Sequence, residues 1–121
     1  MHLKIVSLIA PQPTTLRGQK TQISIKNSKL LYCNNKVVIL LCLDTHVSAC
    51  FTKHAHQTTV ARFSPCGRWV ASGDASGIVK IWLVDGLEEK YEYRVLSGAV
   101  KDISWEPEGK HLLVVGEGKE K

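Results

Sequence analysis

Two proline–glycine turns frame this chain. Pro65-Cys66-Gly67 and Pro107-Glu108-Gly109 lie 42 residues apart, counted from proline to proline. Proline presets φ and glycine accepts positive φ, so each is a turn signal. A short run of strand-forming residues precedes each turn, Val60 to Ser64 and Val100 to Trp105. A second run follows each, Trp69 to Ser72 and His111 to Val115. Small antiparallel sheets arrayed in a ring repeat about every 40–45 residues, so the spacing points to that architecture.

The stretch from His54 to Trp82 carries the densest pattern. Val60, Arg62 and Ser64 alternate with Ala61 and Phe63, the two-residue period of a strand with one buried face. Gly73-Asp74-Ala75-Ser76-Gly77 reads as a second turn. Ile78 to Trp82 reads as a third strand, with Ile78, Lys80 and Trp82 on one face and Val79 and Ile81 on the other. Three short strands on tight turns make most of a β-meander.

This stretch resembles a WD repeat, the unit of a β-propeller. The matching residues are Ala55-His56, Ser64-Pro65-Cys66-Gly67, Ala71-Ser72-Gly73 and Val79-Lys80-Ile81-Trp82. The resemblance implies a buried hydrogen-bonded set, with His56, Ser72 and Trp82 in three of its places. Trp Nε1 only donates, Ser donates and accepts, and each His nitrogen does one or the other. The usual Asp place, one residue before Gly77, holds Ser76, and Asp74 is the alternative carboxylate. The implied fold class is all-β: roughly two and a half four-stranded blades of an incomplete N-terminal WD-repeat propeller.

Composition narrows the function classes. With 121 residues and 44% hydrophobic content, the chain suffices for one small domain. Residues 1–68 carry nine bases and one acid, whereas residues 69–121 carry seven bases and ten acids. The bases are scattered, without a run of five and with few aromatics between them, so the expectation is a solvated surface and no nucleic-acid partner. Cys33, Cys42, Cys50 and Cys66 form no Cys-x-x-Cys pair, which suits free thiols in a reducing compartment. His54-x-His56 has no second ligand pair at a suitable spacing, so neither metal nor cofactor is expected. The longest apolar run, Val37 to Leu43, is too short for a membrane span, which needs about 20 residues. Ile5 to Ala10 is stopped by Pro11 and is too short for a signal peptide. No Gly-x-Ser-x-Gly or His-Glu-x-x-His motif is present, and Gly118-Lys119 lacks the Ser or Thr of a phosphate loop, so no enzyme is expected.

In order, the pattern predicts a strand over 2–9, a proline-marked linker through Gly18, and a strand over 22–26 with Ile23 and Ile25 inward. Leu30 to Cys33 and Lys36 to Leu43 pair across an Asn34-Asn35 turn, and Ser48 to Thr52 adds a short strand. Tyr91 to Leu96 is the outer strand after the central repeat. The expected division is an N-terminal strand and linker over 1–17, a degenerate blade over 18–55, a WD repeat over 56–96 and a truncated repeat over 97–121. At least three repeats are usually needed to bury blade faces, so the expectation is a piece of a longer propeller that associates when isolated.

The wording is narrower than the general repeat. Residues 52–82 and 97–121 are similar to the actin-interacting WD-repeat proteins that assist cofilin. The turn Gly73-Asp74-x-Ser76-Gly77, the strand Lys101-Asp102-Ile103-Ser104-Trp105 and the segment Gly116-Glu117-Gly118-Lys119-Glu120 carry this likeness. It implies a non-catalytic cytoplasmic protein of the cytoskeleton. Its partners would be actin filaments and cofilin, and its effect filament disassembly. No membrane or small-molecule substrate is implied. Glu120 matches an acidic turn position that contributes to actin binding in that family. A general WD-repeat scaffold or adaptor for protein complexes is the alternative.

Overall fold

A computed structural model describes residues 23–118. The strand expected over 2–9, the linker to Gly18 and the candidate residue Glu120 lie outside these residues. The described chain is ten strands in three antiparallel sheets. Sheet 1 contains β1 (Ile23–Lys26), β2 (Lys29–Asn34), β3 (Val37–Cys42) and β4 (Ser48–Phe51) in chain order. Sheet 2 contains β5 (Thr58–Phe63), β6 (Trp69–Asp74), β7 (Ile78–Leu83) and β8 (Glu89–Arg94), also in chain order. Sheet 3 pairs β9 (Val100–Trp105) with β10 (Leu112–Gly116). The three stacked antiparallel sheets have the arrangement of blades in part of a β-propeller. No helix among the described residues is long and apolar enough to cross a membrane.

Local turn chemistry sets the meanders. Asn27 and Ser28 both adopt positive φ, the two-residue turn whose twist matches a hairpin. Gly67 and Gly109 take φ of 77° in the two proline-led turns. The β2–β3 turn falls at Asn35-Lys36, one residue later than expected, because Asn35 takes the positive φ and Asn34 pairs with Val37.

Sheet 2 is covered on both sides, so its alternating residues serve two cores. Leu31, Val38, Leu40 and Phe51 of sheet 1 pack on Ala61, Phe63, Val70 and Trp82. Val60, Ala71 and Val79 face the other way onto Val100 and Ile103 of sheet 3. The one-sided burial expected for β5 is therefore wrong: Val60, Ala61 and Phe63 are all buried. Period-two alternation does not distinguish a solvated face from one facing a second sheet.

Burial of Ile23 and Ile25 also fails, at 58% and 60% exposure. They alternate as a strand should, but share a face with Leu30 and Tyr32 that turns away from sheet 2. Ser24, Ile25 and Lys26 line an opening of ≈ 270 Å³ shared with Arg62, Ser64, Ser104 and Trp105. The first strands of the three sheets meet there. Arg62 Nη1 donates to the Ile23 carbonyl at 3.4 Å, and its Nη2 reaches Asp102 at 3.2 Å. Trp105 Nε1 donates to the Arg62 carbonyl at 3.2 Å. At the opposite end of β5, the buried Thr58 hydroxyl donates to Asn35 O at 2.8 Å.

Sheets 2 and 3 approach closely at Gly73, where a Cβ would lie 2.6 Å from Val100 Cγ1. Replacing Gly73 by Ala is expected to cost about 1–3 kcal/mol through overpacking. Urea unfolding measures the loss, and amide exchange in β9 should accelerate. Adding Val100→Ala should recover part of it, because the two side chains compete for one space.

Candidate functional site

The connection from β4 to β5 delivers one imidazole into the seam between sheets 1 and 2. Phe51, at the end of β4, is buried and stacks on Trp82 with ring centroids 4.4 Å apart and planes 3° from parallel. His54 meets the edge of Phe51 at 5.9 Å. The chain then bends at Ala55-His56 before entering β5.

His54 Nδ1 lies 2.8 Å from Asp74 Oδ2, and Nε2 lies 2.7 Å from Ser72 Oγ. Trp82 Nε1 donates to the same Ser72 oxygen at 3.0 Å. A carboxylate can only accept, so Nδ1 carries the proton and Nε2 accepts from the Ser72 hydroxyl. Ser72 in turn accepts from the indole. Asp74 Oδ1 accepts from Ser76 N at 2.8 Å, Ser76 Oγ at 2.6 Å and Ile78 N at 3.3 Å. Every member is partnered, and no buried side-chain nitrogen or oxygen among the described residues lacks a hydrogen bond.

This arrangement corrects one residue of the sequence reading and resolves another. Ser72, Ser76 and Trp82 stand in the network, but the histidine is His54, not His56. His56 is exposed in the bend. The imidazole must come from the residue that Phe51 carries into the seam, and the sequence His54-x-His56 does not show which of the two that is. Asp74 supplies the carboxylate, while Ser76 supports it as a donor. The available signal was the turn itself. A carboxylate at the start of a tight turn commonly caps backbone N–H groups two residues on.

Burial pushes the His54 pKa below the ordinary histidine value, against the opposing pull of Asp74. For Asp74, burial pushes upward, but hydrogen bonds from Ser76 and His54 outweigh it and hold the carboxyl below its usual range. The neutral imidazole and ionised carboxylate fit the donor–acceptor pattern. On the same face of β7, Lys80 is buried and pairs with Glu89 and, at 2.7 Å, with Glu92. Burial lowers its affinity for a proton, yet these carboxylates raise its pKa overall.

Ser72, His54 and Asp74 have the connectivity of a hydrolytic triad, but Ser72 is 0% exposed and its oxygen is held by Trp82. A nucleophile needs room for a carbonyl and donors for the developing oxyanion. The sealed seam offers neither, so the relay acts as a structural fastener. All four cysteines are free thiols, and burial pushes Cys33 up to about 11. No cluster of three or more metal-ligating side chains occurs among the described residues. Among the described residues, the axial opening and the outer strand β8, every residue of which is exposed, are accessible surfaces.

Comparison with known proteins fits this geometry. The WD40 family (WD domain, G-beta repeat) matches residues 41–82. The match takes in β4 of sheet 1 and β5 to β7 of sheet 2, so one sequence repeat bridges two sheets. WD repeat-containing protein 1-B of Xenopus laevis is 41% identical over the whole chain, and WD repeat-containing protein 1 of Bos taurus is 40% identical. A 66 kDa stress protein of Physarum polycephalum is 36% identical over the same extent. The chain spans 21% of the length of each of these relatives. Among solved structures, a chain in the crystal structure of a mitotic checkpoint complex superposes with a TM-score of 0.65 at 12% identity. It covers 88% of this chain and 40% of that one, and shows the fold alone.

Replacing Ser72 by Ala strands His54 Nε2 and the Trp82 N–H, at about 1–3 kcal/mol for each group left unpaired. His56→Ala should stay within about 0.5 kcal/mol of the parent. Denaturant unfolding of the two variants compares these costs. Because the folded His54 pKa is depressed, protonation favours the unfolded chain. The contribution of His54 to stability should be complete above the unfolded value of about 6.5 and fall as pH drops below it. The Asp74 contribution follows at lower pH, and His54→Gln should flatten the first of these two losses.

Proposed function

We propose that this chain, a WD-repeat protein related along its whole length to WD repeat-containing protein 1, forms part of a platform that binds cofilin-decorated actin filaments and promotes their disassembly. The observation that carries the reading is identity of 36–41% across the full chain to relatives in frog, cattle and slime mould. Support at finer grain comes from the likeness of residues 52–82 and 97–121 to actin-interacting WD-repeat proteins that assist cofilin.

The physics of the platform is compatible with that role. Propellers bind partners through exposed strands, rims and loops held by a rigid stack. Here the His54 relay and two apolar cores fix sheet 2, while β8 and the turns remain accessible. In this reading Glu120 contributes one acidic contact, the cytoskeleton is the site of action, and no catalytic step is involved.

Co-sedimentation tests the proposal. The chain should pellet with actin filaments several-fold more when cofilin is present, and Glu120→Lys should weaken that pelleting. Equal pelleting with and without cofilin, or none, would overturn the actin reading and leave a general WD-repeat scaffold.

A further inference from the structure

The axial opening is walled by the first strand of each sheet. Ser24 and Lys26 come from β1, Arg62 and Phe63 from β5, and Ser104 and Trp105 from β9. Each wall strand is held by a partner in its own sheet, β2, β6 or β10. The ionisable side chains on the wall are Lys26 and Arg62, both cationic, and among the described residues no carboxylate lines it. Arg62 is fixed in place by the Ile23 carbonyl and, from outside the lining, by Asp102. Two bases against that one acid leave the opening net positive. Lys26 has no ion pair among the described residues, and the Ser24 and Ser104 hydroxyls have no hydrogen-bond partner among them. Phe63, Ile103 and the Trp105 ring give the same space an apolar lining, with Trp105 Nε1 already committed to the Arg62 carbonyl.

We propose that this opening binds a phosphoryl group. Cationic and hydroxyl donors that converge on an apolar-lined concavity have the make-up of a ligand site. A phosphoryl group brings three acceptor oxygens and up to two negative charges, which suits two cations and two uncommitted hydroxyls. A carboxylate, with two oxygens and one charge, uses fewer of these donors. Arg62 supplies charge at a fixed position, and Lys26 supplies a point charge on a flexible stem that can close on the ligand. The opening of ≈ 270 Å³ takes in about nine water volumes of ~30 Å³ each, room for a phosphate with a small apolar body against Trp105 and Phe63. The ligand chemistry is thus that of a phosphate monoester or of free phosphate. Both cations are partly exposed, so salt screens them and the dissociation constant is on the order of 1 mM. The proposal does not depend on actin binding.

NMR titration of the chain tests it, with inorganic phosphate and phenyl phosphate as probes and potassium chloride at matched ionic strength as the control. The Trp105 indole N–H and the Lys26 and Ser104 amides should shift and saturate with phosphate but not with chloride. Tighter binding of phenyl phosphate identifies an ester as the ligand; equal or weaker binding identifies free phosphate. Lys26→Met and Ser104→Ala should each weaken binding several-fold, whereas Lys26→Arg should retain it. Neither side chain bonds another described residue, so the variants should keep the parent fold, which circular dichroism checks. No saturable shift at these groups with either probe would overturn the proposal. So would equal shifts with chloride, or a folded Lys26→Met variant that binds phosphate like the parent.

Discussion

An imidazole sealed between two sheets must find a partner for each nitrogen, and that requirement organises this molecule. His54 belongs to the connection leaving sheet 1, yet its partners Ser72 and Asp74 belong to β6 of sheet 2. Trp82 on β7 completes the chain of donors. A net hydrogen bond contributes only about 1 kcal/mol, but an unpartnered buried group costs more than that. The relay therefore discriminates strongly among arrangements of the two sheets. Any slip of β6 against β7, or of the connection against both, leaves several groups without partners at once.

The remaining ties act around this fastener. Phe51 lies flat on Trp82, so the ring that supplies a donor also supplies apolar contact. Thr58 binds sheet 2 to the β2–β3 turn, and Arg62 joins all three first strands at the axis. The Arg62–Asp102 pair is partly exposed and contributes little by itself. Its geometric value is greater, because Trp105 and Ile23 engage backbone and side chain of the same residue. Rigidity is thus concentrated in sheet 2 and its two seams, while β8 carries exposed tyrosines on an open edge.

Much of this architecture was legible in the sequence, and the limits have physical causes. Pro65-Cys66-Gly67 and Pro107-Glu108-Gly109 set their turns through local backbone preference, which needs no neighbours. The alternation of Val79 and Ile81 with Lys80 and Trp82 divided β7 between two faces as expected. The same alternation could not show that both faces of β5 are buried, or that Ile23 and Ile25 point away from sheet 2, because those outcomes depend on which sheet lies opposite. The relay was legible in its residue types and at Ser72 and Trp82. The choice of His54 over His56 depended on where Phe51 carries the chain. Asp74 took the carboxylate role because its turn presents Ser76 and Ile78 as donors.

Long-range proton–nitrogen NMR of the histidine side chains tests the sealed relay most directly. At neutral pH the account predicts that His54 is a neutral imidazole with its proton on Nδ1 and Nε2 bare, while the Trp82 indole N–H exchanges slowly with solvent. A proton on Nε2 of His54, a charged His54 at neutral pH, or a rapidly exchanging Trp82 indole would contradict it.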